Sequence, residues 1–160
     1  MSLQEKLGER LSRLEADGAL TSPQKIEIDG DNYQLTCEVN AVGPLGCALG
    51  HMTASGDKLA GASVDQLKSV SESLASQLTY LLEPVAPIEV DQDGCVVQMR
   101  SDPPHREQED YVYYELLVQP GRVTLRRFRK EKRQPREAVN AHLTREVLVR
   151  LAADLVAVVS

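Results

Sequence analysis

The chain has 160 residues, of which 42% are hydrophobic, and its formal net charge is -6. A chain of this length can bury a core without help from a metal or a disulfide, so we expect one α+β domain over residues 1–160. Aromatic residues make up only 4%, with no tryptophan, which disfavours a carbohydrate site or a platform that stacks nucleobases.

Cysteine content and apolar runs bear on the compartment. Cys37, Cys47 and Cys95 leave one thiol unpaired in any disulfide scheme, and no positively charged start leads into an apolar signal segment. The longest apolar run, residues 143–159, is interrupted by four charged residues, which is too charged and too short to span a membrane. The sequence therefore predicts a cytoplasmic protein with reduced thiols and no membrane association.

The chain begins with a helix and a hairpin. Leucines at positions 3, 7, 11 and 14 have helical spacing, and Gly18 can end that helix in the left-handed conformation. Ile26 and Ile28 then alternate with polar residues, as do the apolar residues of 33–39. The turn residues between these two runs predict a hairpin with one wet face.

A third strand and a second helix follow. A third strand is expected near residues 45–54. The glycines within residues 43–61 leave the ends of this strand undefined. Ser63 followed by Gln66 predicts a capping box. The apolar stripe of the helix that it opens runs as far as Leu81, and prolines at 84 and 87 end the helix.

The rest of the chain predicts two more hairpins and a last helix. These elements cover residues 88–99, 111–130 and 145–159, with Pro120-Gly121 as the turn of the second hairpin. Thr144 can cap the helix. The order is α-β-β-β-α-β-β-β-β-α, with hairpins rather than crossovers. We therefore expect an antiparallel sheet built from hairpins and flanked by three helices.

In element order, length and acidity, the chain resembles the class I type III secretion chaperones and the small domains that share their fold. The resemblance covers most of the chain, and the extra hairpin near the C-terminus departs from the family pattern. It implies a homodimeric, non-enzymatic protein that holds an extended segment of a partner. The last helix also predicts a homodimer, because it is apolar nearly all round and one sheet face can bury only one stripe.

Three small groups of residues resemble functional sites, but each lacks residues that such a site requires. Cys47 and His51 lie four residues apart, but no second ligand pair accompanies them as a zinc site requires. The glycines between 43 and 50 lack the Gly-Lys-Ser/Thr of a phosphate loop. The aspartates at 29 and 31 lack the further ligands of a calcium loop. We therefore assign no catalytic residue, no metal and no cofactor.

Residues 126–136 hold seven of the eighteen basic residues. Residues 1–99 carry fifteen acidic and six basic residues, whereas residues 100–160 carry nine and twelve, so this basic patch lies on an acidic chain. The candidate partner-binding residues are Arg126, Arg127, Phe128, Arg129, Lys130, Lys132 and Arg133.

The basic patch has three interpretations. It can receive an acidic protein segment; it can neutralise phosphates while Phe128 stacks on a base; or it can be a solvated edge strand whose charges prevent aggregation. We predict a non-catalytic binding module that holds a protein segment in a chaperone- or adaptor-like way. The alternative is a nucleic-acid-associated protein that uses strand 122–136, and a small enzyme comes third.

Overall fold

Ten antiparallel strands form one sheet, and three helices flank it. The computed structural model describes residues 1–160. The helices are α1 (Leu3–Ala16), α2 (Val64–Gln77) and α3 (Arg145–Val159). The strands are β1 (Gln24–Asp29), β2 (Tyr33–Val42), β3 (Gly46–Gly56), β4 (Val85–Asp91), β5 (Val96–Ser101), β6 (His105–Glu107), β7 (Asp110–Gln119), β8 (Arg122–Lys130), β9 (Glu137–Val139) and β10 (Ala141–Thr144). The predicted fold class and element order are confirmed, and the short strands β6, β9 and β10 are added to them.

Polar side chains fix the starts of the helices. Ser63 and Gln66 form the predicted capping box, in which each side chain accepts a hydrogen bond from the other residue's backbone N–H. The Thr144 hydroxyl accepts from the Val147 N–H at 3.1 Å, so α3 begins where the sequence predicts. Each cap satisfies a backbone donor that has no partner within the helix.

Helix α2 ends earlier than the sequence predicts. The α-helix stops at Gln77, and a 3₁₀ turn, Thr79–Leu81, carries the buried side chain of Leu81 onward. Leu82 then adopts the left-handed conformation, with φ +66°, and is 92% exposed. The helix has therefore already ended before the prolines at 84 and 87. The tighter 3₁₀ turn keeps Leu81 on the core without continuing the α-helix.

Strand β8 lies inside the sheet. The strand order is β1-β2-β3-β8-β7-β5-β4, and β8 pairs with β3 on one side and β7 on the other. The interpretation of the basic patch as a solvated edge is therefore wrong. The edges are β1 and β4, and β4 carries Pro87, which cannot donate to a further strand.

A fork opens between β3 and β8. The two strands pair from His51 opposite Arg126 to Ser55 opposite Arg122, and beyond His51 they diverge. Strand β9 pairs with the free side of β8, and β10 pairs with the free side of β3. The chain reverses at Asn140 between these two short strands, which together fill the fork.

The helices cover only one face of the sheet. Helix α3 packs on β2, β3 and β10, while α2 packs on β4, β5 and β7. The buried apolar residues form one continuous cluster between helices and sheet. The opposite face carries no helix, and we call it the open face.

Helix α3 is enclosed within its own chain. It contacts α1, α2, the sheet and the turn at Asp57–Leu59, and Val158 and Val159 near its end are buried. The argument that this helix needs a second subunit is therefore wrong, and the homodimer stays a prediction. No helix in the structure, α3 included, combines the length and apolarity needed to cross a membrane.

Candidate partner-binding site

The seven predicted patch residues do not form one surface. Successive side chains of a strand point to opposite faces of the sheet, so β8 separates its own basic residues. The open face receives Arg126, Phe128 and Lys130, the helix side receives Arg127 and Arg129, and the β8–β9 loop carries Lys132 and Arg133. The patch is thus split among three environments.

The two helix-side arginines are neutralised by carboxylates. Arg127 donates two hydrogen bonds to Glu83, at 2.7 and 3.2 Å, and both side chains are largely buried. Arg129 donates to Glu107 at 2.6 Å and to Asp110 at 3.2 Å. The hydrogen bond between Arg129 and Glu107 lowers the pKa of the Glu107 carboxyl group and raises the pKa of the Arg129 guanidinium group. Neither arginine contributes free positive charge for a partner.

Phe128 is not available to stack on a base. Its side chain is only 8% exposed. Tyr113 lies beside it, with the ring centroids 6.0 Å apart, and the Arg136 guanidinium lies over the ring at 3.8 Å. The predicted role of Phe128 in nucleic-acid stacking is therefore wrong, because a basic residue of the same sequence stretch covers the ring.

A row of six side chains, one from each of six neighbouring strands, crosses the open face. The pairing registers place them directly opposite one another in the order Lys25, Glu38, His51, Arg126, Glu115 and Arg100. Each glutamate of this row lies between two basic residues, and His51 and Arg126 are neighbours at its centre. Directly opposed residues of unlike charge stabilise a sheet, so the row favours this strand order.

Glu115 is the buried carboxylate of this row. It is 5% exposed and accepts hydrogen bonds from Gln98, at 2.8 Å, and from Arg136. The guanidinium groups of its cross-strand neighbours, Arg100 and Arg126, make no hydrogen bond and no ion pair; the Arg100 guanidinium lies 5.3 Å from the centroid of the Tyr113 ring. Two guanidinium groups on the open face therefore keep their charge uncompensated.

A groove of about 450 Å³ lies beside the row, and we call it the basic groove. Its lining residues are Arg100, Pro104, Tyr111, Tyr113, Lys130 and Arg136. Every charged residue in that set is basic. Tyr111 is 43% exposed and offers an aromatic wall. The groove can therefore bind an acidic group together with an apolar or aromatic side chain.

Cys47 and His51 are not brought together as a site. Cys47 belongs to the buried core, and burial raises the pKa of its thiol. His51 lies on the open face, where its Nε2 is 3.3 Å from a Glu38 carboxylate oxygen and its Nδ1 is buried without a hydrogen-bond partner. No group of three or more His, Cys, Asp and Glu side chains is arranged to hold a metal ion.

Sequence reasoning missed several groove residues. Arg136 lies within the basic stretch, but Arg100 comes from β5, and the alternation of Tyr111 and Tyr113 on β7 is the only local signal for the aromatic wall. Pairing of β5 with β7 brings Arg100 to the groove. This step depends on tertiary structure and has no sequence signature.

Comparisons of the chain with protein-family models, with curated proteins and with solved structures find no match. The case for a function therefore depends on the charges and geometry of the open face. Within that face, the basic groove combines a cavity, the unpaired guanidinium of Arg100 and the exposed ring of Tyr111.

Proposed function

We propose that this chain is a non-catalytic binding module that holds an acidic segment of a partner protein in the basic groove. The observation that carries the proposal is the charge of the lining: Arg100 and Lys130 face the groove without an ion pair, and no carboxylate lines it. The third cation, Arg136, is paired with Glu115 from beneath. A guanidinium group can donate two parallel hydrogen bonds to one carboxylate. Tyr111 offers a ring against which an apolar side chain of the same segment can pack.

A protein segment fits the groove better than a nucleic acid does. The net charge of -6 opposes the approach of a polyanion. Phe128 is covered by Arg136, and only six residues line the groove. A charged protein segment needs only local complementarity, whereas a nucleic acid gains affinity from each additional phosphate that it places against a cation.

We also propose an adaptor- or chaperone-like role for a homodimer in the cytoplasm. The resemblance to class I type III secretion chaperones supports this role, and the homodimer depends on that resemblance alone. Three free cysteines are compatible with a reducing compartment. The positive charge of the basic groove selects acidic segments among the extended segments that such a protein can hold.

Fluorescence anisotropy tests the proposal with two labelled probes. One is an acidic peptide with a central aromatic residue, Ac-Glu-Glu-Tyr-Glu-Glu-NH₂, and the other is a single-stranded oligothymidylate. The variant is Arg100→Glu with Lys130→Glu, since both side chains line the basic groove and neither forms an ion pair with a carboxylate. The control, Lys58→Glu with Lys68→Glu, changes the charge equally on the helix side. We expect the peptide to bind the wild type and the control, and to bind the variant about tenfold more weakly or worse.

Two results would count against a protein partner. Equal peptide affinity for variant and control would remove the basic groove from the proposal. Tighter binding of the oligonucleotide, with a salt slope of about 0.7 per phosphate, would favour the nucleic-acid alternative. Affinity capture with the wild type and the variant then identifies the partner, because a partner held in the basic groove must be lost when Arg100 and Lys130 are replaced.

A further inference from the structure

A second cavity, which we call the fork cleft, lies on the helix side of the sheet. Its volume is about 780 Å³, within the range of small-molecule sites. Leu81 and Glu83 form one wall, β6 forms another, and the reversal at Asn140 closes the end where β9 and β10 fill the fork. Strands β7 and β8 form the floor, so the fork cleft and the basic groove lie on opposite faces of these two strands and share no residue.

The charged side chains of the fork cleft, apart from its histidines, are paired with one another. Glu83 holds Arg127 through two hydrogen bonds and also accepts the Ser101 hydroxyl at 2.8 Å, so its oxygens are occupied. Glu107 holds Arg129 at 2.6 Å. A ligand with a net charge would therefore find no free carboxylate or guanidinium, and burying an unpaired charge is costly.

Two neutral donors of the cleft, on Tyr114 and Asn140, have no partner in the protein. Tyr114 is only 4% exposed, and its hydroxyl makes no hydrogen bond, although the Arg127 guanidinium lies 4.2 Å from its ring centroid. Burial raises the pKa of Tyr114, so the hydroxyl keeps its proton. Asn140 accepts from Asn40 through its oxygen, which leaves its amide nitrogen free.

The side chains of the two histidines of the cleft, His105 and His142, are exposed and make no hydrogen bond or ion pair. A ring N–H of each imidazole can donate a hydrogen bond to a bound molecule. The Tyr114 hydroxyl has no protein partner and is not among the enclosed polar atoms, so it is open to the cleft and free to donate to an acceptor on a bound molecule. The apolar part of the lining, Leu81, Val112, Ala138 and Val139, surrounds these donors.

We propose that the fork cleft binds an uncharged small molecule that carries a carbonyl oxygen on an apolar body. The carbonyl accepts from the Tyr114 hydroxyl, and the apolar body lies over Val112 and Val139. The paired charges select against carboxylates and amines of the same shape. This site is independent of the acidic segment proposed for the basic groove.

Chemical-shift mapping of the ¹⁵N-labelled chain tests the selection with three probes of one skeleton: hexanamide, hexanoate and hexylammonium. We expect hexanamide to shift the amide signals of the cleft strands, and the two charged probes to bind about tenfold more weakly. Equal binding of either charged probe would overturn the proposal, as would shifts confined to residues outside the cleft. The dipeptide mimic Ac-Val-NHMe carries the same carbonyl chemistry in a polypeptide. If it binds more tightly than hexanamide, the ligand is a peptide and the small molecule is excluded.

The variant Tyr114→Phe removes the unpartnered hydroxyl and keeps the ring beneath Arg127. We expect hexanamide to bind this variant about fivefold more weakly, the effect of one net hydrogen bond, while the urea midpoint stays the same or rises. Tyr111→Phe is the matched control, since its hydroxyl lies on the open face. Unchanged affinity in Tyr114→Phe, or a lowered midpoint that reveals a hydroxyl bonded within the protein, would contradict the proposal.

Discussion

Arg136 lies over the ring of Phe128, with its guanidinium carbon 3.8 Å from the ring centroid. The same guanidinium donates to the buried carboxylate of Glu115, and this hydrogen bond raises the pKa of Arg136. One side chain, just before β9, thus covers an apolar ring and neutralises a buried charge. Because Phe128 and Glu115 lie on the two strands at the centre of the open face, Arg136 fixes the β8–β9 connection onto that face.

Replacement of Arg136 by alanine should destabilise the protein by about 1–2 kcal/mol, since it uncovers the Phe128 ring and leaves Glu115 without its charged donor. Arg136→Lys should recover only part of this loss, because an ammonium group cannot stack as a planar guanidinium does. Urea denaturation measures both effects. Arg133→Ala, in the exposed loop, is the control and should change stability by less than about 0.5 kcal/mol. Equal effects of Arg136→Ala and Arg133→Ala would show that the stacked pair is not stabilising.

The Glu83–Arg127 pair should show strong coupling in a double-mutant cycle. Both side chains are largely buried, at 14% and 13% exposure, so Glu83→Leu or Arg127→Leu alone leaves an unpaired buried charge and should cost about 3 kcal/mol. The double variant should lose much less than the sum of the two losses. The exposed Lys25–Glu27 pair is the comparison, with coupling below about 1 kcal/mol. Additive losses at Glu83 and Arg127 would contradict this expectation.

Glycine-to-alanine changes at two positions should have opposite signs. Gly121 has φ +80° in the β7–β8 turn, as the predicted type II turn requires, and alanine there should cost about 1 kcal/mol or more. Gly8 lies within α1 with open space where a Cβ would project, so Gly8→Ala should stabilise by about 0.5–1 kcal/mol. Thermal denaturation of both variants checks the signs. A stabilising Gly121→Ala would mean that the turn has another geometry.

Stability should fall with alkaline pH partly through Cys37. Burial raises the pKa of this thiol from 9.0 to about 12. The unfolded chain therefore loses the thiol proton above pH 9.0 while the folded chain keeps it, so this contribution is complete below that pH and is lost as the pH rises toward 12. Urea midpoints near neutral pH and above about pH 10 measure the loss. Cys37→Val should show a smaller decrease; an equal decrease would assign the effect to other groups.

Local patterns predicted the helices and the long hairpins because each of these elements carries its own signals. Thr144 marks the start of α3, and Pro120-Gly121 marks the turn between β7 and β8. Strand order has no such signal, because it depends on pairs such as Thr53 and Thr124, which are 71 residues apart. The three-residue strands β6 and β9 are too short to display a period.

The candidate site was predictable only in part for the same reason. Period-2 alternation can separate Arg126 and Lys130 from Arg127 and Arg129 once β8 is recognised as a strand. It cannot identify Glu83 as the partner of Arg127, because Glu83 belongs to a turn distant in sequence. Which basic residues remain uncompensated is therefore decided by tertiary contacts.

The filling of the fork by β9 and β10 also constrains the order of assembly. During synthesis, β3 and β8 can pair before residues 137–160 have been made, but the diverging ends of both strands then have no neighbours. The apolar side chains beneath α3 are exposed to water at that stage as well. Unpaired strand edges next to exposed apolar surface are where nascent chains associate wrongly. Because β10 runs directly into α3, residues 137–160 cover the unpaired strand ends and the apolar surface in one step.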